Sequence, residues 1–272
     1  MEKLIKGRDV TDQESSSGKS SFCQFSVTVK KGHPECGDSA FVFSDDKKLI
    51  IGIFDGVSGE PGAEEASSDA AEAALDYLKG LDKAGEKEIK EALSRAHLAI
   101  NISSTTASLL FLRKDGSFIV AAIGDSPIYG VDSKGKLGLE VPLARTVKDN
   151  DSILKYFAFR NYITAALGGP AELLEVSIRS GKLKKGEMFI IASDGLSDNL
   201  FVKVKEGYVT DSSGIDDLQS LIRKKNVPSA MVKTLMAEIE KRLSTGRIEK
   251  KNSSLVPKED DIAIAVVKLT KV

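Results

Sequence analysis

The sequence predicts an α+β fold in which antiparallel sheet is covered by helices. Apolar runs come in hairpin-like pairs, and helical segments come in pairs between those runs rather than one after each strand. No shift of composition marks an internal boundary. The 272 residues therefore read as a polar N-terminal arm, 1–21, followed by a single domain, 22–272.

Residues 1–21 are polar and serine-rich and are expected to form a loosely ordered arm or an edge. From Phe22 the alternation in FCQFSVTV indicates a strand. SAFVF and LIIGIF, separated by Ser44-Asp45-Asp46-Lys47-Lys48, give a hairpin signal, although Asp46-Lys47 is not a favoured turn pair. GAEEASSDAAEAALDYLKGL and the stretch from Glu86 to Ile102 space their apolar residues at the helical period. TTASLLFL and SFIVAAIG make a second hairpin around Asp115-Gly116, a strong turn dipeptide. Residues 131–161 are mixed and charged and read as an irregular insertion or flap. EVSIRSGKL and GEMFIIAS follow as strands, 215–225 and 228–243 as helices, and DIAIAVVKL as the last strand.

Composition narrows the function classes. Hydrophobic residues at 41% and charged residues at 29% are the ordinary mixture of a globular protein with a sizeable core. Lys+Arg 39 against Asp+Glu 40 leaves a net charge of -1, which gives no electrostatic reason to bind nucleic acid or an anionic membrane. Cys23 and Cys36 are too few for a disulfide framework and fit a reduced compartment. No window approaches 18 uninterrupted apolar residues, and the first residues lack a signal-peptide core. The expectation is a cytoplasmic monomer without a membrane or nucleic-acid partner.

The aspartates fall at strand ends. Asp55 ends IIGIF, Asp194 ends MFIIAS, and Asp260 precedes IAIAVV. A two-residue loop at Asp46-Lys47 would set Asp38 opposite Asp55, and one at Asp115-Gly116 would set Asp125 opposite Thr106. Carboxylates gathered at one sheet edge repel each other unless protons or cations intervene. All-oxygen donors suit Mg²⁺ or Mn²⁺ rather than zinc, and only two histidines, His33 and His97, exist. Asp is also a common turn residue after a strand, so any one of these positions alone carries little.

Taken in order, CGDSAFVF, GIFDGVSG, TTASLLFL, VAAIGDSPIYG, ITAALGG, MFIIASDGLSDNL and DDIAIAVVKL resemble the metal-dependent protein phosphatases of the PP2C family, from Cys36 to Leu269. The resemblance implies a four-layer αββα sandwich of two packed antiparallel sheets flanked by helices. It also implies a centre of two Mn²⁺ or Mg²⁺ ions, with a third in some members. Asp55 would bridge the two ions, the Gly56 carbonyl would bind one of them, and Asp194 and Asp260 the other. Asp38 matches an acidic position reached through water, and Asp125 and Asp198 match positions of the third, weaker ion. The implied partner is a phosphorylated protein.

Chemistry agrees with that reading. Two cations about 4 Å apart lower the pKa of a bridging water, which attacks phosphorus directly. The resemblance is imperfect around the substrate. Gly37 stands in place of a Glu, His33 in place of a phosphate-gripping Arg, and Pro127 in place of the Arg of GDSR. His33 or Lys31, with Lys30 beside it, would have to supply the missing positive charge, and Lys lacks the bidentate fork of Arg. Two other readings stay open. One is a catalytically weak phosphoprotein-binding or regulatory module on the same fold. The other is a phosphatase with an aspartyl nucleophile at Asp55, although Val57 stands where such enzymes carry a second Asp. Ser17-Gly18-Lys19-Ser20 lacks the first glycine and the preceding strand of a P-loop, and His97 reads as a structural residue in a helix.

Overall fold

Two six-stranded antiparallel sheets pack face to face, and a pair of helices covers the outer side of each. This architecture comes from a computed structural model that describes residues 1–59, 61–169, 175–223 and 225–271. The first sheet runs β1 (Glu2–Ile5), β4 (Asp38–Ser44), β5 (Lys48–Asp55), β6 (Ala107–Arg113), β7 (Ser117–Ile123) and β10 (Ser177–Lys182). The second runs β2 (Gln13–Lys19), β3 (Cys23–Lys30), β16 (Ile262–Leu269), β11 (Met188–Ala192), β8 (Ile128–Val131) and β9 (Leu137–Leu139). Helices α1 (Ala63–Lys79) and α2 (Glu86–Ala99) cover the first sheet, and α5 (Ile215–Ile222) and α6 (Pro228–Leu243) the second. Two short helices, α3 (Ile153–Phe159) and α4 (Asp194–Ser197), lie between strands.

The central strands are apolar on both faces because both faces are covered. In β5, Leu49, Ile51 and Ile53 enter the core between the sheets, while Ile50 and Phe54 meet α1 and α2. That is why LIIGIF reads as a continuous run rather than an alternation. The alanines of α1, with Ala70, Ala71 and Ala74 fully buried, let the helix lie close on the sheet. Each inner and outer interface thus has its own apolar cluster.

Several expectations change. Residues 1–21 form edges rather than an arm: β1 pairs with β4 and β2 with β3, each at a sheet edge. The serines that made this stretch look disordered bond across the strands, Ser15 to Thr28 at 2.9 Å and Ser17 to Ser26 at 2.8 Å. The P-loop-like Ser17-Gly18-Lys19 lies within this edge strand. Part of 131–161 is ordered, since β8 ends there and β9 and α3 lie inside it. A third sheet, β13 (Tyr208–Asp211), β12 (Val202–Lys205), β15 (Ser253–Leu255) and β14 (Ile248–Lys250), was not foreseen, because its strands are three or four residues long and charged.

The first hairpin has the expected two-residue loop, and its register sets Asp38 opposite Asp55. The second does not. Its ladder pairs Leu112 with Phe118, which leaves Lys114-Asp115-Gly116 as a three-residue loop and brings Gly124, not Asp125, opposite Thr106. Gly116 has φ +82 and donates its N–H to Arg113 at 2.9 Å, the left-handed residue that closes such loops. A Cβ there would also stand 2.4 Å from the Leu183 carbonyl oxygen. Gly116→Ala should therefore cost at least about 1–2 kcal/mol. Urea denaturation should show a lower midpoint with an unchanged m-value.

Candidate metal centre

The open end of the β4–β5 hairpin carries Asp38 and Asp55 side by side. The second sheet brings Asp194, at the start of α4 just after β11, and Asp260, just before β16, to the same place. Ser193 joins the two halves. Its hydroxyl donates to Asp38 Oδ2 at 2.6 Å and accepts the Ala263 N–H at 2.9 Å. The Asp194 N–H donates to Asp55 Oδ2 at 3.3 Å. Gly56 lies so close to its neighbours that a Cβ would sit 2.3 Å from the Ala63 carbonyl oxygen, and its N–H bonds the Gly37 carbonyl at 3.0 Å. Backbone at this position can approach a ligand only as glycine.

Sequence reasoning missed four members of the cluster. Asp261 accepts the N–H groups of Gly32 at 2.6 Å, His33 at 3.1 Å and Gly37 at 2.7 Å, and so fastens the loop after β3 to the site. Its only signal was adjacency to Asp260. Lys258 places its ammonium 2.5 Å from Asp260 Oδ2, 2.9 Å from Asp194 Oδ2 and 3.8 Å from Asp198 Oδ2. Arg145 lies between Asp125 and Asp198, with Arg160 on the far side of Asp198. Nothing in the sequence flags these three cations, because they reach the site from irregular segments.

Of the residues foreseen for phosphate, His33 is at the cluster, its Nδ1 3.4 Å from Asp261 Oδ2 and 3.6 Å from Asp260 Oδ1, with the ring 39% exposed. Lys31 forms no side-chain pair with any described residue, and Lys30 is engaged by Glu240 of α6. His97 stands apart in α2, where its Nδ1 accepts the Gly168 N–H at 3.0 Å. Both cysteines are buried thiols, and burial pushes the Cys23 pKa up to about 11.

Charge crowding dominates the electrostatics. Burial, then the neighbouring carboxylates, push Asp38 and Asp55 well above the usual carboxylate range. Burial and Asp194 raise Asp260 to about 7 in spite of Lys258. Burial raises Asp125 to about 7 against the opposing Arg145 guanidinium. Asp194 is the exception: burial acts upward, but Lys258 outweighs it and holds the group below its ordinary value.

These residues fit a pair of divalent cations. All donors are oxygen, and a lysine ammonium stands in for positive charge between Asp194 and Asp260. His33, Asp260 and Asp261 also converge closely enough to share one ion.

The protein phosphatase 2C family model matches residues 29–237, which include Asp38, Asp55, Asp125, Asp194 and Asp198. The chain belongs to the protein phosphatase 2C family. The chain is 24% identical over 276 aligned positions to the mitochondrial protein phosphatase 2C homolog 7 of Saccharomyces cerevisiae, covering 87% of this chain and 75% of that protein. It is 25% identical to a probable protein phosphatase 2C of Oryza sativa, over 70% of this chain and 56% of the relative's length. Among solved structures, RsbX in complex with magnesium superposes with a TM-score of 0.64 at 20% identity, covering 94% of this chain and 100% of RsbX. The Mycobacterium tuberculosis serine/threonine phosphatase PstP gives 0.59 at 16% identity, covering 92% and 99%. The expected αββα sandwich is thus the fold this PP2C-family chain adopts. No helix among the described residues is long and apolar enough to cross a membrane.

In this PP2C centre a carboxyl raised from 3.8 binds its proton more tightly folded than unfolded. The stability it adds is complete below about 4 and is lost as pH rises through about 7. Metal-free protein should therefore melt at a higher temperature at pH 6 than at pH 8, and saturating Mg²⁺ should flatten or reverse that slope. Scanning calorimetry in EDTA and in excess Mg²⁺ checks both.

Proposed function

We propose that the chain is a metal-dependent protein phosphatase that hydrolyses phosphoserine and phosphothreonine using two Mn²⁺ or Mg²⁺ ions. The observation that carries this reading is the convergence of Asp38, Asp55, Asp194 and Asp260 from both sheets onto one point, with an ammonium lodged among them. Asp55 and the Gly56 carbonyl would hold one ion, and Asp55, Asp194 and Asp260 the other. When bound, such ions lower the pKa of a coordinated water and neutralise charge on phosphate oxygens.

The chain's own groups supply the rest. Ser193 occupies Oδ2 of Asp38, which leaves Oδ1 as the oxygen that would accept a proton, on a carboxyl that burial and the neighbouring carboxylates push upward. His33, on the exposed rim beside Asp260, meets a phosphate oxygen arriving from solvent. Lys258 must leave Asp194 and Asp260 before an ion can use them.

Hydrolysis of a phosphothreonine peptide and of an aryl phosphate, with and without Mn²⁺, tests the proposal. Asp194→Asn should lower kcat by more than the roughly 10–100-fold typical of an outer-shell partner. Full activity after EDTA treatment would count against the metal mechanism, and phosphate trapped on Asp55 would favour an aspartyl nucleophile. Lys258→Met should tighten Mn²⁺ binding about tenfold, equivalent to about 1.4 kcal/mol, in a calorimetric titration.

A further inference from the structure

The positions expected to hold a third, weaker ion are already joined. Arg145 Nε donates to Asp125 Oδ2 at 3.0 Å, while its Nη2 donates to Ser197 Oγ at 2.8 Å and lies 3.2 Å from Asp198 Oδ1. Arg160 approaches the other oxygen of Asp198 at 3.4 Å and donates to the carbonyls of Asp198 at 2.9 Å and Val256 at 2.8 Å. Both carboxylates and both guanidinium groups are buried. Arg145 is held by the backbone around it. Ala144 N–H bonds the Gly124 carbonyl at 2.9 Å, Thr146 N–H bonds the Tyr162 carbonyl at 2.9 Å, and Arg145 itself bridges Ile163.

We infer that Arg145 is a resident cation in the place of a third divalent ion, so that this chain binds two ions and no more. The inference rests on the two-ion reading above. A divalent ion between Asp125 and Asp198 would face two buried guanidinium groups that cannot lose their protons, and the carboxylates have no negative charge left over for it. Unlike an exchangeable ion, a guanidinium joins Asp125, Ser197 and Asp198 permanently. It therefore positions α4, and with it Asp194, whatever the metal concentration.

Calorimetric titration of the full chain with MnCl₂ tests this by stoichiometry rather than by turnover. Wild type should bind two ions, and Asp125→Asn should still bind two. Arg145→Ser, which removes the guanidinium and opens its space, should gain a third ion bound at least ten times more tightly than any third ion in wild type. A third ion in wild type, loss of an ion in Asp125→Asn, or a folded Arg145→Ser that still binds two would each overturn the inference. If Arg145→Ser does not fold, the first two measurements decide. Wild type that binds no ion would overturn the two-ion reading itself, a result none of the other outcomes resembles.

Discussion

Desolvated negative charge is the constraint on which this site depends. Carboxylates from two sheets are packed at one end of the sandwich, where water cannot screen them and each raises the proton affinity of the next. Such a cluster persists only if cations or protons are held close. The chain supplies some of that charge itself, as one ammonium and two guanidinium groups. The proposed metal requirement and the stability of the metal-free fold are therefore two expressions of one imbalance.

The sandwich exists, from the site's point of view, to bring two strand ends within hydrogen-bond reach. Neither sheet carries a complete set of donors. Ser193 is the joint: one hydroxyl bonded to Asp38 of the first sheet and to Ala263 of the second fixes their separation. Asp194 N–H on Asp55 adds a second tie across the same gap. The apolar core between the sheets sets the spacing coarsely, and these polar contacts set it finely.

What the sequence showed of this depended on how local each fact was. Asp38 opposite Asp55 was legible because a short loop fixes the register of its own hairpin. The same reasoning misplaced Asp125 by one residue, because Gly116 in the left-handed region lengthens the second loop. Lys258, Arg145 and Arg160 were not legible, since their partners lie across turns and bridges that no periodicity marks. The edge strands β1 and β2 were hidden for another reason: their polar faces look like disorder until the neighbouring strand is present.

Strand β16 is the last in the sequence yet sits in the middle of its sheet, between β3 and β11. During synthesis β3 and β11 must wait for it, each with an apolar edge unpaired, while the hairpin carrying Asp38 and Asp55 can close early. Asp260 arrives with the same segment. A nascent chain therefore cannot assemble the centre before the second sheet is complete, and a ribosome-bound intermediate exposes strand edges that chaperones recognise. Completion of the second sheet and assembly of the aspartate cluster are thus one event.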